Sequence, residues 1–117
     1  MKNQPFLARV GFALRGIVHA FRVEIGFRIH TLAACAVVAI LCITRPPAAW
    51  WAIAAITVSA VMAAELFNTA VEHLADHLHP QRHPAIGIVK DCAAGAVLVT
   101  SIAALCVAAA FVFEVLL

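Results

Sequence analysis

The chain has 117 residues, 65% of them hydrophobic and 12% charged, with a formal net charge of +2 and a mean hydropathy of +1.02. A soluble domain carries about a quarter charged residues, and a nucleic-acid binder needs a much larger basic excess, so both classes are excluded. What remains is a small integral membrane protein. Its apolar runs do not alternate with polar residues, so its backbone satisfies itself as helices and not as a closed barrel.

Basic residues run through residues 1–28 without an apolar core and a small-residue cleavage site after it, so the segment does not read as a cleavable signal peptide. Leu7, Val10, Leu14, Ile17, Phe21 and Ile25 fall within a stripe about 80° wide at helical spacing, with Arg15, His19 and Arg22 on another face. The expectation is a basic amphipathic helix over residues 1–28, lying on the membrane with its cations near anionic head groups. Glu24 is the residue that a plain anchor helix does not explain.

Three membrane helices are expected after it, over residues 29–45, 48–76 and 91–115. Thr31 to Thr44 is a 14-residue uncharged run, shorter than the roughly 20 residues a bilayer needs, so Phe27 and Ile29 extend it and Arg28 and Arg45 snorkel. Arg45-Pro46-Pro47 makes a tight corner, and Trp50-Trp51 marks an interfacial aromatic belt. The second span runs from Ala48 through a charge-free stretch into "AELFNTAVEHLADHLH", residues 64–79. Pro80 to Pro84 forms a short polar loop, and Cys92 to Phe113 gives 22 uncharged residues for the third span. Cys35, Cys42, Cys92 and Cys106 are scattered through these runs and read as small buried hydrophobes, with no disulfide frame or zinc site.

Lys2, Arg9, Arg15, Arg22 and Arg28 precede the first span, and Arg82 and Lys90 lie between the second and third, against Arg45 alone on the other side. The positive-inside rule then places the amino end and the 77–90 loop in the cytosol and the carboxyl end outside. No linker or internal repeat divides the chain, so it reads as one domain.

On the second span, Glu65, Asn68, Glu72 and Asp76 share a stripe about 80° wide that climbs roughly 16 Å. Ionisable groups at membrane depth are costly and normally functional. Glu24, Lys90 and Asp91 fall at the same cytosolic face, which leaves Glu114 as the one acid of six elsewhere. Carboxylates with an amide and a lysine suit a hard divalent cation such as Mg²⁺, completed by water and substrate phosphates. A further carboxylate beside it could serve as general base, and phosphoryl transfer needs those parts together. No GxxxxGK[ST] phosphate loop is present. Two other readings stay open from the residues alone. His73, His77, His79 and His83 have a spacing that suits a metal-binding or ion-transporting module, and the acidic stripe could line a pore or proton relay.

"AELFNTAVEHLAD", followed after a short loop by "HPAIGIVKDCAAGAVLV", resembles the prokaryotic diacylglycerol kinase family, small trimeric three-span lipid kinases that include the undecaprenol kinases. The resemblance extends upstream through "FALRGIVHAFRVEIGFRIH" and covers residues 12–100. It implies an all-α membrane protein, an amino-terminal surface helix plus three transmembrane helices, assembled as a homotrimer with shared active sites in the bacterial cytoplasmic membrane. It also implies transfer of the γ-phosphoryl group of ATP, with Mg²⁺, to the hydroxyl of a membrane lipid in the phospholipid bilayer, either diacylglycerol or undecaprenol. By position, Glu65 matches the catalytic base and Asn68 its polar neighbour, while Glu24 and Glu72 match the acids that hold the metal of MgATP. Phe12, Arg15, Gln81, Arg82, His83, Lys90 and Asp91 match nucleotide-side positions, and Arg15 and Ala94 join Glu65 on the lipid side. The small residues of "CAAGA" would let helix backbones approach closely. Where many members read E-R-N-F-R-I-H, this chain reads Glu24-Ile25-Gly26-Phe27-Arg28-Ile29-His30.

Overall fold

A computed structural model describes residues 3–117, so Lys2 of the basic amino end lies outside the described residues. The described chain is four helices, α1 (Phe6–Val23), α2 (Ile25–Thr44), α3 (Ala48–Leu78) and α4 (Pro84–Phe111), and α4 loosens into a π-helical turn over Val112–Leu116. The three helices α2, α3 and α4 with its final turn are long and apolar enough to cross a bilayer.

The first helix ends at Val23 and not at residue 28. Glu24 adopts an extended conformation, φ −110° and ψ 113°, and serves both helices. Its N–H donates to Ala20 O at the end of α1, and its carbonyl accepts from Arg28 N–H in the first turn of α2. No proline or glycine stands in the last turn of α1. Gly26 follows it, the weakest helix former short of proline, and the span gains four residues over its expected start at residue 29. The 20 residues of α2 then reach about 30 Å, one bilayer core, without strained borrowing.

At the far end of α2, Arg45 closes the helix in the left-handed region, φ 49° and ψ 57°, its N–H donating to Leu41 O. A side chain there costs roughly 1–2 kcal/mol, and the two prolines behind it make continuation of the helix impossible. The corner at Arg45-Pro46-Pro47 is as expected. A second stop lies between α3 and α4, where His83 Nδ1 accepts from Ala85 N–H at 3.1 Å and Pro84 takes the first helical position, where its missing N–H does no harm. The helix therefore begins at Pro84, ahead of the expected residue 91.

Helices α3 and α4 form the main interface. Most of the half-buried residues of α4, namely Ile86, Lys90, Ala93, Val97, Thr100, Ala104, Val107 and Phe111, lie along one seam at alternating spacings of four and three, with Gly95 and Ser101 half-buried beside it. That is the knobs-into-holes period of a left-handed helix pair. Trp50 near the start of α3 meets Phe111 at the end of α4 edge to face, ring centroids 5.2 Å apart, so the pair is antiparallel. Helix α2 packs on α3 through Phe27 and Leu41, both buried. Little else is buried, and α4 has no fully buried residue at all. All four cysteines are exposed in the single chain, so the reading of them as buried is corrected: they sit on outward helix faces.

Candidate active site

Helix α3 has 31 residues, about 46 Å, which exceeds a hydrocarbon core of about 30 Å by roughly three turns. Counted from Ala48 on an untilted helix, Glu65 stands about 26 Å along it, near the far edge of the core, and Asp76 about 42 Å along, beyond it. The side chains record that gradient. Glu65 is buried at 6% exposure, Asn68 and Glu72 are half-buried, and Asp76 is exposed.

Each member of the stripe has a different partner. Glu65 Oε1 lies 3.2 Å from His30 Nε2 of α2. On the same helix, Gly26 abuts the carboxylate so closely that a Cβ there would come 3.0 Å from Oε1 and 3.3 Å from Oε2. Asn68 Nδ2 donates to Glu72 Oε1 at 3.1 Å, one turn along α3. The amide oxygen Asn68 Oδ1 and the hydroxyl of Thr69 are buried without a hydrogen-bond partner among the described residues. Near the carboxyl-terminal end of α3, Lys90 Nζ of α4 donates to Asp76 Oδ1 across the helix pair.

The remaining expected residues lie on α1, at the α1–α2 break, in the 79–83 loop and on α4. Glu24 is half-buried at the break between α1 and α2, and its carboxylate makes no hydrogen bond or ion pair among the described residues. On α1, the Arg15 guanidinium lies 5.0 Å from the centre of the Phe12 ring, and two turns on, the His19 ring meets His73 of α3 edge to face at 5.2 Å. That contact holds α1 against the carboxyl-terminal half of α3. Gln81 and Arg82 are exposed in the loop, where His79 Nδ1 donates to the Gln81 carbonyl at 2.9 Å. His83 spends its Nδ1 on capping α4, Asp91 is exposed, and Ala94 is exposed off the seam that packs on α3.

The histidines do not converge. His73 pairs with His19, and His79 with His83 at 5.5 Å, as two separate ring contacts. Among the described residues no three His, Cys, Asp or Glu side chains come together as a metal centre. The donor set near Glu72 is of another kind: a carboxylate beside an amide oxygen that is buried and unpaired, all hard oxygen, which fits Mg²⁺ rather than zinc or copper. His30 and Gly26 are the site residues that sequence reasoning missed. The available signal was that they stand one turn apart on α2, but nothing local says that this face meets Glu65.

An apolar cavity of about 240 Å³ opens between α2, α3 and α4. Val37, Val58, Val61, Ala104 and Phe111 are among its walls, and His30 is its one ionisable lining residue. The imidazole therefore touches both the cavity and the Glu65 carboxylate.

Comparison with known proteins gives the chain a family and two named relatives. Residues 11–112 match the family described as prokaryotic diacylglycerol kinase. The chain is similar to a diacylglycerol kinase of Synechocystis sp., 41% identical over 97 residues that cover 82% of this chain and 55% of the relative. It is also similar to an undecaprenol kinase of Bacillus subtilis, 36% identical over 88 residues that cover 75% of this chain and 72% of the relative. The chain thus spans about half the length of the first relative and nearly three quarters of the second. On this match the chain belongs to the prokaryotic diacylglycerol kinase family.

Proposed function

We propose that this protein is an ATP-dependent lipid kinase, with Glu65 as the general base that takes the proton of a lipid hydroxyl. The observation that carries the reading is the Glu65 carboxylate, buried near the edge of the hydrocarbon and next to an apolar cavity that reaches it through His30. A lipid tail in this apolar cavity would bring the hydroxyl end of its lipid toward His30 and the Glu65 carboxylate beyond it. The hydroxyl oxygen forms a bond to the γ-phosphorus, the bond from that phosphorus to the β–γ bridging oxygen breaks, ADP leaves, and the proton passes to Glu65.

Glu72, with Asn68 beside it, and Glu24 at the α1–α2 break would hold Mg²⁺ with the nucleotide. The cation supplies charge neutralisation on the phosphates. Asn68 orients Glu72 by its hydrogen bond. Lys90, already held by Asp76, offers its remaining donors to phosphate oxygens, and Asp91, Gln81, Arg82 and His83 form the exposed nucleotide side. Phe12 and Arg15 act from α1, which lies at the cytosolic membrane surface with its basic face toward the head groups and the amino end in the cytosol. The open outer face of α4, where Ala94 is exposed and a Cβ at Gly95 would meet nothing, supports a homotrimer that covers it.

The relatives carry two acceptor names, diacylglycerol and undecaprenol, and both are candidates here. The test is transfer of labelled γ-phosphate from MgATP to each lipid in detergent micelles. Label in the organic-soluble phosphate of at least one acceptor is the expected result. Label only in inorganic phosphate, or dependence on zinc and on His73 and His77, contradicts the reading.

A further inference from the structure

The base on α3 is addressed from a second helix. Gly26 and His30 are one turn apart on α2, so they share a face. Both meet the same carboxylate: the imidazole Nε2 at 3.2 Å from Oε1, and the bare backbone of Gly26 where any Cβ would press on both oxygens. The Glu65 side chain is only 9% exposed, and His30 is its sole ion-pair partner among the described residues. A buried carboxylate held on one oxygen and confined on one side has little freedom to turn.

We infer that His30 and Gly26 form a positioning cradle for the catalytic carboxylate, in which His30 acts through Glu65 and not on the lipid or the nucleotide. With the ring proton on Nε2, the imidazole occupies Oε1 and leaves Oε2 as the oxygen that faces the hydroxyl. Proton removal requires a donor–acceptor distance near that of a hydrogen bond, and misplacement by about 1 Å costs on the order of 100-fold in rate. Gly26 leaves room for this placement, and His30 holds it. The inference rests on the lipid-kinase reading.

The test is steady-state kinetics in micelles with MgATP and whichever acceptor the wild-type protein phosphorylates, on His30→Leu, His30→Asn and His30→Gln. Leucine removes the polar partner, and kcat is expected to fall by about 10–100-fold while KM for MgATP changes less than about twofold. Asparagine carries an N–H too short to reach Oε1 and is expected to follow leucine, which keeps the test alive if the leucine variant does not fold. Glutamine carries an N–H to about the place of Nε2 and is expected to return kcat to within about fivefold of wild type. In a Glu65→Gln background, His30→Leu should change the residual rate by less than about twofold, because His30 acts through the group already lost. The cradle is overturned by full kcat in the leucine or asparagine variant, by no recovery with glutamine, or by losses that multiply in the double variant. A wild-type protein that transfers no phosphate overturns both the cradle and the kinase reading, whereas active wild type with unaffected His30 variants overturns the cradle alone.

Discussion

Glu65 and Asp76 lie on one stripe of one helix and were equivalent to a reader of spacing, yet the fold gives them opposite lives. Glu65 is buried, touched by the imidazole of His30 and crowded by the backbone of Gly26. Asp76 is exposed and is paired with Lys90 near water, the two side chains keeping 63% and 37% of their exposure. Depth along α3 makes the difference. A charge at the hydrocarbon edge costs a few kcal/mol and persists only where neighbours shape a place for it, whereas an exposed pair in water contributes about 0–1 kcal/mol. The first arrangement is one that chemistry uses, and the second ties two helices together at their wet ends.

That contrast can be broken at its strongest point by Glu65→Gln. The change keeps size and removes the base, so phosphate transfer should fall by about 10²–10⁴-fold, read as kcat on the lipid acceptor, with ATP binding retained. The middle of the stripe comes next. Glu72→Ala removes the carboxylate that Asn68 orients, and the Mg²⁺ concentration giving half-maximal rate should rise by at least about tenfold, read from a Mg²⁺ titration at fixed ATP. Gly26→Ala sharpens the steric half of the argument. Its Cβ must push the carboxylate by a few tenths of an ångström, and kcat should drop by about 3–10-fold in the same assay. The smallest effect belongs to Asp76→Asn, which should lower stability by less than about 1 kcal/mol in thermal unfolding in detergent and leave kcat within about threefold.

Much of the site was legible because helical periodicity is a local property. The stripe of Glu65, Asn68, Glu72 and Asp76, the proline corner after Arg45 and a loop within Pro80 to Pro84 all depend on residues close in sequence, and the structure has them there, although α4 begins at Pro84 and not at residue 91. The break at Glu24 was not legible. The apolar spacing runs smoothly from Leu7 to Ile25, and only the demand that α2 run along α3 while α1 meets it at His19 and His73 separates the two helices. The partners of the acids were hidden for the same reason. Lys90 was read as a nucleotide-side position and Asp76 only as a member of the acidic stripe, and their pairing depends on the register between α3 and α4. His30 was passed over for the more numerous histidines near residue 77, although its position one turn beyond Gly26 is what brings it to Glu65. The cysteines show the reverse error, since hydrophobic character within a span does not say whether a face meets protein or lipid.

The most direct measurement sets the two acids against each other. Labelled phosphate transfer from MgATP to lipid is followed for Glu65→Gln and Asp76→Asn in one micelle preparation, each protein first verified to bind ATP. If the buried carboxylate is the base, the rate for Glu65→Gln is lower than that for Asp76→Asn by about 100-fold or more. Equal rates for the two variants would contradict the assignment of Glu65 and the mechanism built on it.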